Sequence, residues 1–260
     1  MLAFCLCACL CFAQSGELVI LHTNDTHSQI EPYTHKTDTN VGGFLRREAL
    51  IREVRAQHKN VLLFDAGDFS QGTPYFNFFK GYTEVELMNA MGYDAVALGN
   101  HEFDNGSAAL AKRLKKAHFR VLCANYQFHN KQLDKVVKPC VIIEKAGKRI
   151  GVFGLLADLK ALVAPSTYAE LTYLDPIETA KAMVDMLQRQ NCDLIVCLSH
   201  LGVAENTVND VEIAKKVKDI DIIIGGHTHT ELSEPMLVGN TRIYQRANRG
   251  KNVGEIVITY

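Results

Sequence analysis

The feature that most constrains this chain is a repeating alternation. Short apolar runs, most of them closed by an Asp, Asn or His, are separated by longer amphipathic stretches. The runs cover residues 18–22, 61–65, 95–98, 121–124, 150–156, 194–198 and 220–225. Apolar runs of this length, bounded by turn residues, read as buried strands. Between them, residues 43–58, 83–91, 107–117, 176–190 and 210–217 have helical length and spacing, and Asp175-Pro176 is a good helix start. Alternating strands and helices predict an α/β fold. Residues 241–245 and 254–259 read as strands with no helix between them, so the sheet is expected to be mixed. No repeat, low-complexity tract or linker rich in Pro, Gly or Ser breaks the pattern, which predicts one domain over residues 14–260.

A chain of 260 residues, 47% hydrophobic and carrying a formal charge of −1, can bury a substantial core. The neutral balance and the lack of a long basic block indicate neither a nucleic-acid partner nor a polybasic membrane contact. Residues 1–13 are all apolar, too few for the ~20 needed to span a bilayer but right for the hydrophobic region of a secretion signal. Cleavage after Ala13 is expected, and with it export to the periplasm or the medium. Leu6-Cys7-Ala8-Cys9 also resembles a bacterial lipoprotein box, so membrane attachment is expected only through lipidation at Cys9. The competing reading, a buried N-terminal strand, would put four cysteines within seven residues of core. The other four, Cys123, Cys140, Cys192 and Cys197, form no CxxC pair. They make no disulfide framework or thiolate metal site, and Cys123, Cys192 and Cys197 read as small hydrophobes in or beside apolar runs.

The chemistry sits at the strand ends, where open α/β sheets place their ligands. After the first strand come Asp25 and His27, which in an extended segment point the same way. A solvated turn is the ordinary reading of D-x-H taken alone. After the second comes Asp65-Ala66-Gly67-Asp68, where Gly67 permits close backbone approach and the Asp68 carboxylate can bridge two cations. Asp65 competes as a possible cap. After the third comes Gly99-Asn100-His101-Glu102-Phe103-Asp104. It offers a hard oxygen ligand in Asn100, a proton donor in His101, and a carboxylate in Asp104 to hold that imidazole in one tautomer. His200 closes the run 194–198, and Gly226-His227-Thr228-His229 closes 220–225. Five of the ten histidines fall in these elements; His22, His35, His58, His118 and His129 read as structural.

Taken in order, these elements resemble the calcineurin-like metallophosphoesterases. Within them, Asn24-Asp25-Thr26-His27, the run 67–81 (GDFSQGTPYFNFFKG), the run 99–104 (GNHEFD) and Ser199-His200-Leu201-Gly202 are similar to the 5′-nucleotidase branch. The resemblance covers nearly the whole chain after the signal. It implies a four-layer α/β/β/α sandwich of two mixed sheets with a dinuclear metal centre at the strand ends. It further implies that Asp25, His27, Asp68 and His229 hold one ion and Asp68, Asn100, His200 and His227 the other. Some relatives carry Gln at the position of His229. Mixed imidazole and carboxylate ligands suit Zn²⁺, Mn²⁺ or Fe better than Ca²⁺. His101, oriented by Asp104, is then expected to stabilise the phosphoryl charge or protonate the leaving alkoxide.

The expected activity is hydrolysis of phosphomonoesters, with nucleoside 5′-monophosphates as substrates. The alternatives are a broader phosphodiesterase acting on 2′,3′-cyclic nucleotides or UDP-sugars, and a non-catalytic nucleotide- or metal-binding subunit. Long members of the family carry a second, C-terminal domain that grips the base. Here that domain is expected on a separate chain, or the selectivity is looser, or the sequence is a fragment. Arg246 and Arg249 are candidate phosphate contacts, though solvated loop arginines are the simpler reading. The aromatic segment 75–82 is expected to pack rather than to stack on a base.

Overall fold

The computed structural model describes residues 16–35, 38–160, 162–203 and 207–260. The expected signal and Cys9 lie outside the described residues. From the first described residues, β1 (Glu17–Thr23) leads through the hairpin β2 (Tyr33–His35) and β3 (Asp38–Val41) to α1 (Phe44–Gln57) and β4 (Val61–Asp65). Next come α2 (Pro74–Phe79), α3 (Tyr82–Met91), β5 (Ala95–Ala97), α4 (Gly106–Leu114), β6 (Arg120–Leu122), β7 (Tyr126–Phe128), α5 (Lys131–Val136) and β8 (Val137–Lys138). The second half runs β9 (Cys140–Lys145), β10 (Lys148–Leu156), β11 (Leu171–Tyr173), α6 (Pro176–Arg189), β12 (Leu194–His200) and α7 (Asp210–Lys216). It ends with β13 (Ile222–Gly225), β14 (Met236–Val238), β15 (Thr241–Tyr244) and β16 (Gly254–Thr259).

Two six-stranded sheets result, ordered β16-β1-β4-β5-β6-β8 and β14-β15-β13-β12-β10-β9. Both are mixed. In the first sheet β16 runs antiparallel to β1 while the others run parallel, and in the second β9 and β14 are the antiparallel edges. The apolar runs are unbroken because alternate residues serve different layers. Leu18, Ile20, Leu62 and Phe64 from the first sheet meet Ile150, Val152, Val196, Leu198, Ile222 and Ile224 from the second in a buried seam. The opposite face of the first sheet, with Val19, Leu21 and Leu63, packs on Ile51, Val85, Met88 and Leu110 of α1, α3 and α4. The outer face of the second, with Ile195, Cys197 and Ile223, packs on Ile177, Ala180, Val184 and Leu187 of α6 and on Ile213 of α7. Three apolar layers between four polypeptide layers give the α/β/β/α sandwich. Each fully buried aliphatic side chain in them contributes roughly 1.5–3 kcal/mol.

Helix starts follow their local chemistry. The Asp175 carboxylate accepts from the N–H groups of Ile177 and Glu178 and caps α6, with Pro176 at the first helical position. Short elements escape the periodicity argument. The edge strand β9 is only half-buried, and α2 is a six-residue helix that buries Phe76 alone. The expected packing of the aromatic segment therefore holds for Phe76, whereas Phe78 is 79% exposed and Phe79 53%. All four described cysteines are free, with Cys123 and Cys197 buried and Cys192 only half-buried.

His22 is structural in an unusual way. It pairs with Gly254 in the β1–β16 ladder, where a Cβ would overlap the imidazole, and its ring meets Tyr244 of the second sheet edge-on at 5.9 Å. The ring is fully buried and neither nitrogen has a hydrogen-bond partner. Burial, aided by the charge of Arg246, pushes its pKa down to about 3. The unfolded imidazole takes up a proton near pH 6.5, so the stability tied to neutral His22 is complete above that pH and is lost as pH falls toward the folded value. Between pH 7 and pH 5 this loss is about 2 kcal/mol. Chemical denaturation at the two pH values should show His22→Leu losing about that much less than the parent; an unchanged difference would contradict the assignment.

Candidate metal centre

The carboxyl ends of β1, β4, β5, β12 and β13 open at one edge of the sandwich, and every residue expected in the site comes together there. The Nε2 atoms of His27 and His229 stand 3.0 Å apart, and Asp25 Oδ1 lies 3.4 Å from His229 Nε2 and 3.9 Å from His27 Nε2. Asp68 Oδ2 is 3.1 Å from His200 Nε2, and His227 Nδ1 is 3.0 Å from Asn100 Oδ1. Three overlapping groups have ligand atoms mutually within 4.8 Å: Asp25 with His27 and His229, His27 with Asp68 and His101, and Asp25 with Asp68 and His200. Asp25 thus faces both halves of the site, since its Oδ1 is also 3.9 Å from His200 Nε2.

These side chains fit a metal site better than a hydrogen-bond network. His200 is fully buried, and its Nδ1 is 2.7 Å from the carbonyl of Ala66, which fixes the proton on that nitrogen in the neutral ring and turns the Nε2 lone pair into the cluster. Despite its nearness to Asp68, His200 Nε2 has no partner in hydrogen-bonding geometry, and His27 Nδ1 has none either. Ligands at ~2.1 Å from a tetrahedral ion stand about 3.4 Å from one another, close to the separations seen. The donor set of imidazoles, carboxylates and one amide, without thiolate, suits first-row divalent cations.

The loops hold this geometry by means other than extended backbone. Asp25, His27, Asp68, His227 and His229 all have φ between +46° and +73°, so the left-handed region carries five of the seven expected ligands. Period-two alternation therefore does not explain why Asp25 and His27 converge; two left-handed turns do. Such residues cost on the order of 1–3 kcal/mol each and persist where surroundings over-determine them. Here the N–H of Asp25 donates to Gly67 O, that of His27 to Asp68 O, and that of His227 to both oxygens of Asp25. Gly99 is the closest approach: a Cβ there would overlap Asp68 Oδ1 and its amide nitrogen.

One residue of the GNHE run had no role in the sequence argument. The buried carboxylate of Glu102 accepts from the N–H of Asp68 (2.9 Å), Ser70 (3.1 Å) and Gly99 (2.7 Å) and from Ser70 Oγ (2.6 Å), lacing two metal-facing loops together. Arg113 of α4, wholly buried, donates to the Glu102 carbonyl and to Ser70 Oγ. Asn24 and Asn248 were also missed. Asn24 donates to Asp25 Oδ2 and Ala247 O, and Asn248 Nδ2 lies 2.8 Å from His229 Nδ1. With its amide turned over, Asn248 accepts from that nitrogen and leaves His229 Nε2 for an ion. For Glu102 and Asn24 the only signal in the sequence was a position beside an expected ligand; Asn248, 19 residues from His229, carried none.

His101 stands beside the cluster, its ring 5.4 Å from that of His27, its N–H on Asp68 Oδ1 and its Nδ1 2.9 Å from Asp104 Oδ2. The hydrogen bond to Asp104 raises its pKa against the opposing effect of burial. Burial lowers His200, but Asp68 and Asp25 overcome it and hold the ring up at about 10. Burial raises Asp68, yet the neighbouring imidazoles, His200 foremost, bring its carboxyl well below the usual range. Burial and the charge of His200 bring His227 down to about 4. The candidate phosphate contacts fare less well. Arg246 donates to Leu232 O and pairs with Glu231 at 3.5 Å, while the Arg249 side chain lies over Tyr33 and reaches Gln29.

The calcineurin-like phosphoesterase signature matches residues 18–231, and the chain belongs to that family. It is 38% identical over 264 residues to the snake venom 5′-nucleotidase of Crotalus adamanteus, with 95% of this chain aligned. Among solved structures it is similar to the 5′-nucleotidase precursor of Thermus thermophilus, with TM-score 0.84, 36% identity and 94% of this chain covered. The NAD nucleotidase of Haemophilus influenzae follows, with TM-score 0.82, 30% identity and 95% covered. The chain spans 44% of the venom protein's length, 51% of the Thermus chain and 54% of the Haemophilus chain.

Replacing Glu102 by Gln turns one acceptor into a donor that faces backbone N–H groups. An unsatisfied buried donor costs ~1–3 kcal/mol, so Glu102→Gln should lose about that much stability and part of its bound metal. Denaturation curves and elemental analysis check this; parental values of both would rule out the lacing role.

Proposed function

We propose that this chain is a dinuclear-metal phosphomonoesterase that releases phosphate from nucleoside 5′-monophosphates. The observation that carries the proposal is the overlap of the three ligand groups on Asp25, Asp68 and His27, with the His101–Asp104 pair at their side. In this reading Asp25, His27, Asp68 and His229 would hold one divalent ion and Asp68, Asn100, His200 and His227 the other. When bound, such a pair supplies Lewis acidity to the phosphoryl oxygens and an acidified water for in-line attack.

The remaining work belongs to the chain's own groups. Asn100 Oδ1 and His227 Nδ1, 3.0 Å apart, would serve as ligands contributed by the two different sheets. His101 holds a proton on Nδ1 against Asp104 and presents its other nitrogen to the leaving oxygen, where it protonates the departing alkoxide. The apolar seam beneath the site keeps water to the open face. Support for the nucleotide as substrate comes from the named activities of the relatives. Export agrees with the apolar residues 1–13, and with the venom origin of one relative. The domain is read as residues 14–260, and base selection is assigned to a second domain on a partner chain. A broader phosphodiesterase is the second reading, favoured by the similarity to the NAD nucleotidase, whose named substrate carries a phosphoanhydride.

Phosphate release from AMP and p-nitrophenyl phosphate, with Mn²⁺ or Zn²⁺ added, tests the proposal, and bis-p-nitrophenyl phosphate tests the second reading. No turnover of any of them would leave only a binding subunit. Asp68→Asn should lose metal and activity together, because a neutral bridge offsets less of the repulsion between two cations. His101→Asn should keep the metal and lose about 10²–10⁴ in kcat on AMP, and less on p-nitrophenyl phosphate, whose leaving group needs no proton. An equal loss on both substrates would reassign His101 to charge stabilisation.

A further inference from the structure

We propose that Gln245 is a positioning residue for the part of the metal centre that the second sheet supplies, acting on His227 and His229 through the loop that carries them. The inference rests on the proposed metal ligation and adds to it a residue that ligates nothing.

Gln245 follows the last residue of β15 and is fully buried. Its amide faces the loop after β13. Nε2 donates to Gly226 O, while Oε1 accepts from Thr228 Oγ1 at 3.1 Å and from the N–H of Thr230 at 3.2 Å. The three residues it holds alternate with the two histidines, so His227 and His229 are each bracketed by anchored neighbours. Both histidines have left-handed backbone, with φ +73° and +53°, a conformation that persists only where the surroundings over-determine it. The chemistry of the loop requires an amide here. The Gly226 carbonyl can only accept and the Thr230 N–H can only donate, so the side chain must offer one donor and one acceptor, in one orientation. A carboxylate would set an acceptor against the Gly226 carbonyl.

Thr228 carries the connection further. Its Oγ1 accepts from the N–H of Val203 at 3.1 Å, in the segment after His200. The carboxyl ends of β12, β13 and β15 are thereby joined through one amide and one hydroxyl. On its other side the loop has no room to move. A Cβ at Gly226 would lie 2.8 Å from His200 Nδ1 and 2.9 Å from Ala66 O, so the backbone there is wedged against the first sheet. Gln245 closes the remaining direction. Without its amide the Gly226 carbonyl and the Thr230 N–H lose their partners, and both left-handed histidines are free to relax. Because His227 and His229 are assigned to different ions, the loss extends to both.

Titration of the metal-free chain with Co²⁺, whose visible absorption depends on the geometry of its ligands, tests the proposal. The parent is expected to bind two ions. Gln245→Glu should weaken the binding of both by about 10–100-fold, the range found when groups that orient metal ligands are removed, and should shift the absorption of the bound ions. Thr228→Val, which removes one hydroxyl from a half-buried side chain, should weaken binding by about fivefold or more and keeps the test valid if Gln245→Glu fails to fold. A role in stability alone would lower the denaturation midpoint and leave affinity and absorption unchanged, so folded variants with parental Co²⁺ affinity and absorption overturn the proposal. A parent that binds no Co²⁺ overturns the metal reading and this inference with it, whereas a parent that binds two ions and cannot be told from its variants overturns the role of Gln245 alone.

Discussion

The carboxylate of Glu102 is the interaction on which the site leans. It gathers three backbone N–H groups and a hydroxyl from the loops after β4 and β5, in a place where water cannot substitute for any of them. Burial raises its pKa, and the guanidinium of Arg113 works in the opposite direction. Hydrogen bonds to a charged group contribute about 1.5–3 kcal/mol each. Several of them together are enough to offset the left-handed backbone at Asp68, which would otherwise relax and carry its carboxylate out of the cluster.

The same small volume holds Asp25, Asp65, Asp68 and Glu102, all buried, and electrostatics gives Asp65 and Asp68 different states. Asp65 has no imidazole against it; burial pushes it up to about 8, and it hydrogen-bonds Thr23 and the N–H of Gly67. Asp68, three residues on, has His200, His27 and His101 around it and stays ionised. Two carboxylates in one loop thus differ in role because of their neighbours. A bound cation pair adds to the charge that Asp68 and Asp25 already face, and a proton held on His200 must leave before that ring can ligate.

Much of this was legible in the sequence, and the reason is physical. Strands buried on both faces must be apolar throughout, so β4 is found at the boundaries its apolar run predicts; β16, an edge strand buried on alternate residues, keeps the expected 254–259, and α6 all but one of its residues. The nine expected site residues converge because each ends or follows a strand of a sheet whose carboxyl ends share an edge. What was illegible depended on chain direction within a turn or on a distant partner. The convergence of Asp25 with His27, and of His227 with His229, comes from positive φ angles that no residue pattern announces at Asp or His. Glu102 reads as one more polar residue in a loop until the N–H groups it binds, 32 and 34 residues away, are located. Phe78 and Phe79 read as core by composition, but a six-residue helix has one buried face and Phe76 occupies it.

The division of the site between two sheets sets the precision it needs. Asp25, His27, Asp68, Asn100 and His101 come from the first sheet, and His200, His227 and His229 from the second. A slip of one residue between the sheets would move the two halves apart by about 3.3 Å, more than the length of a metal–ligand bond. Two features oppose such a slip. The interdigitated seam of Leu18, Ile20, Phe64, Val152, Val196 and Ile224 is close-packed, and close-packed interiors resist shear. At its metal end the His200 imidazole reaches across to Ala66 O at 2.7 Å, tying the last residue of β12 to the one after β4. The imidazole proposed to bind the metal is therefore itself a fastener between the sheets, so the orientation of a ligand and the register of the sandwich are set by the same bond.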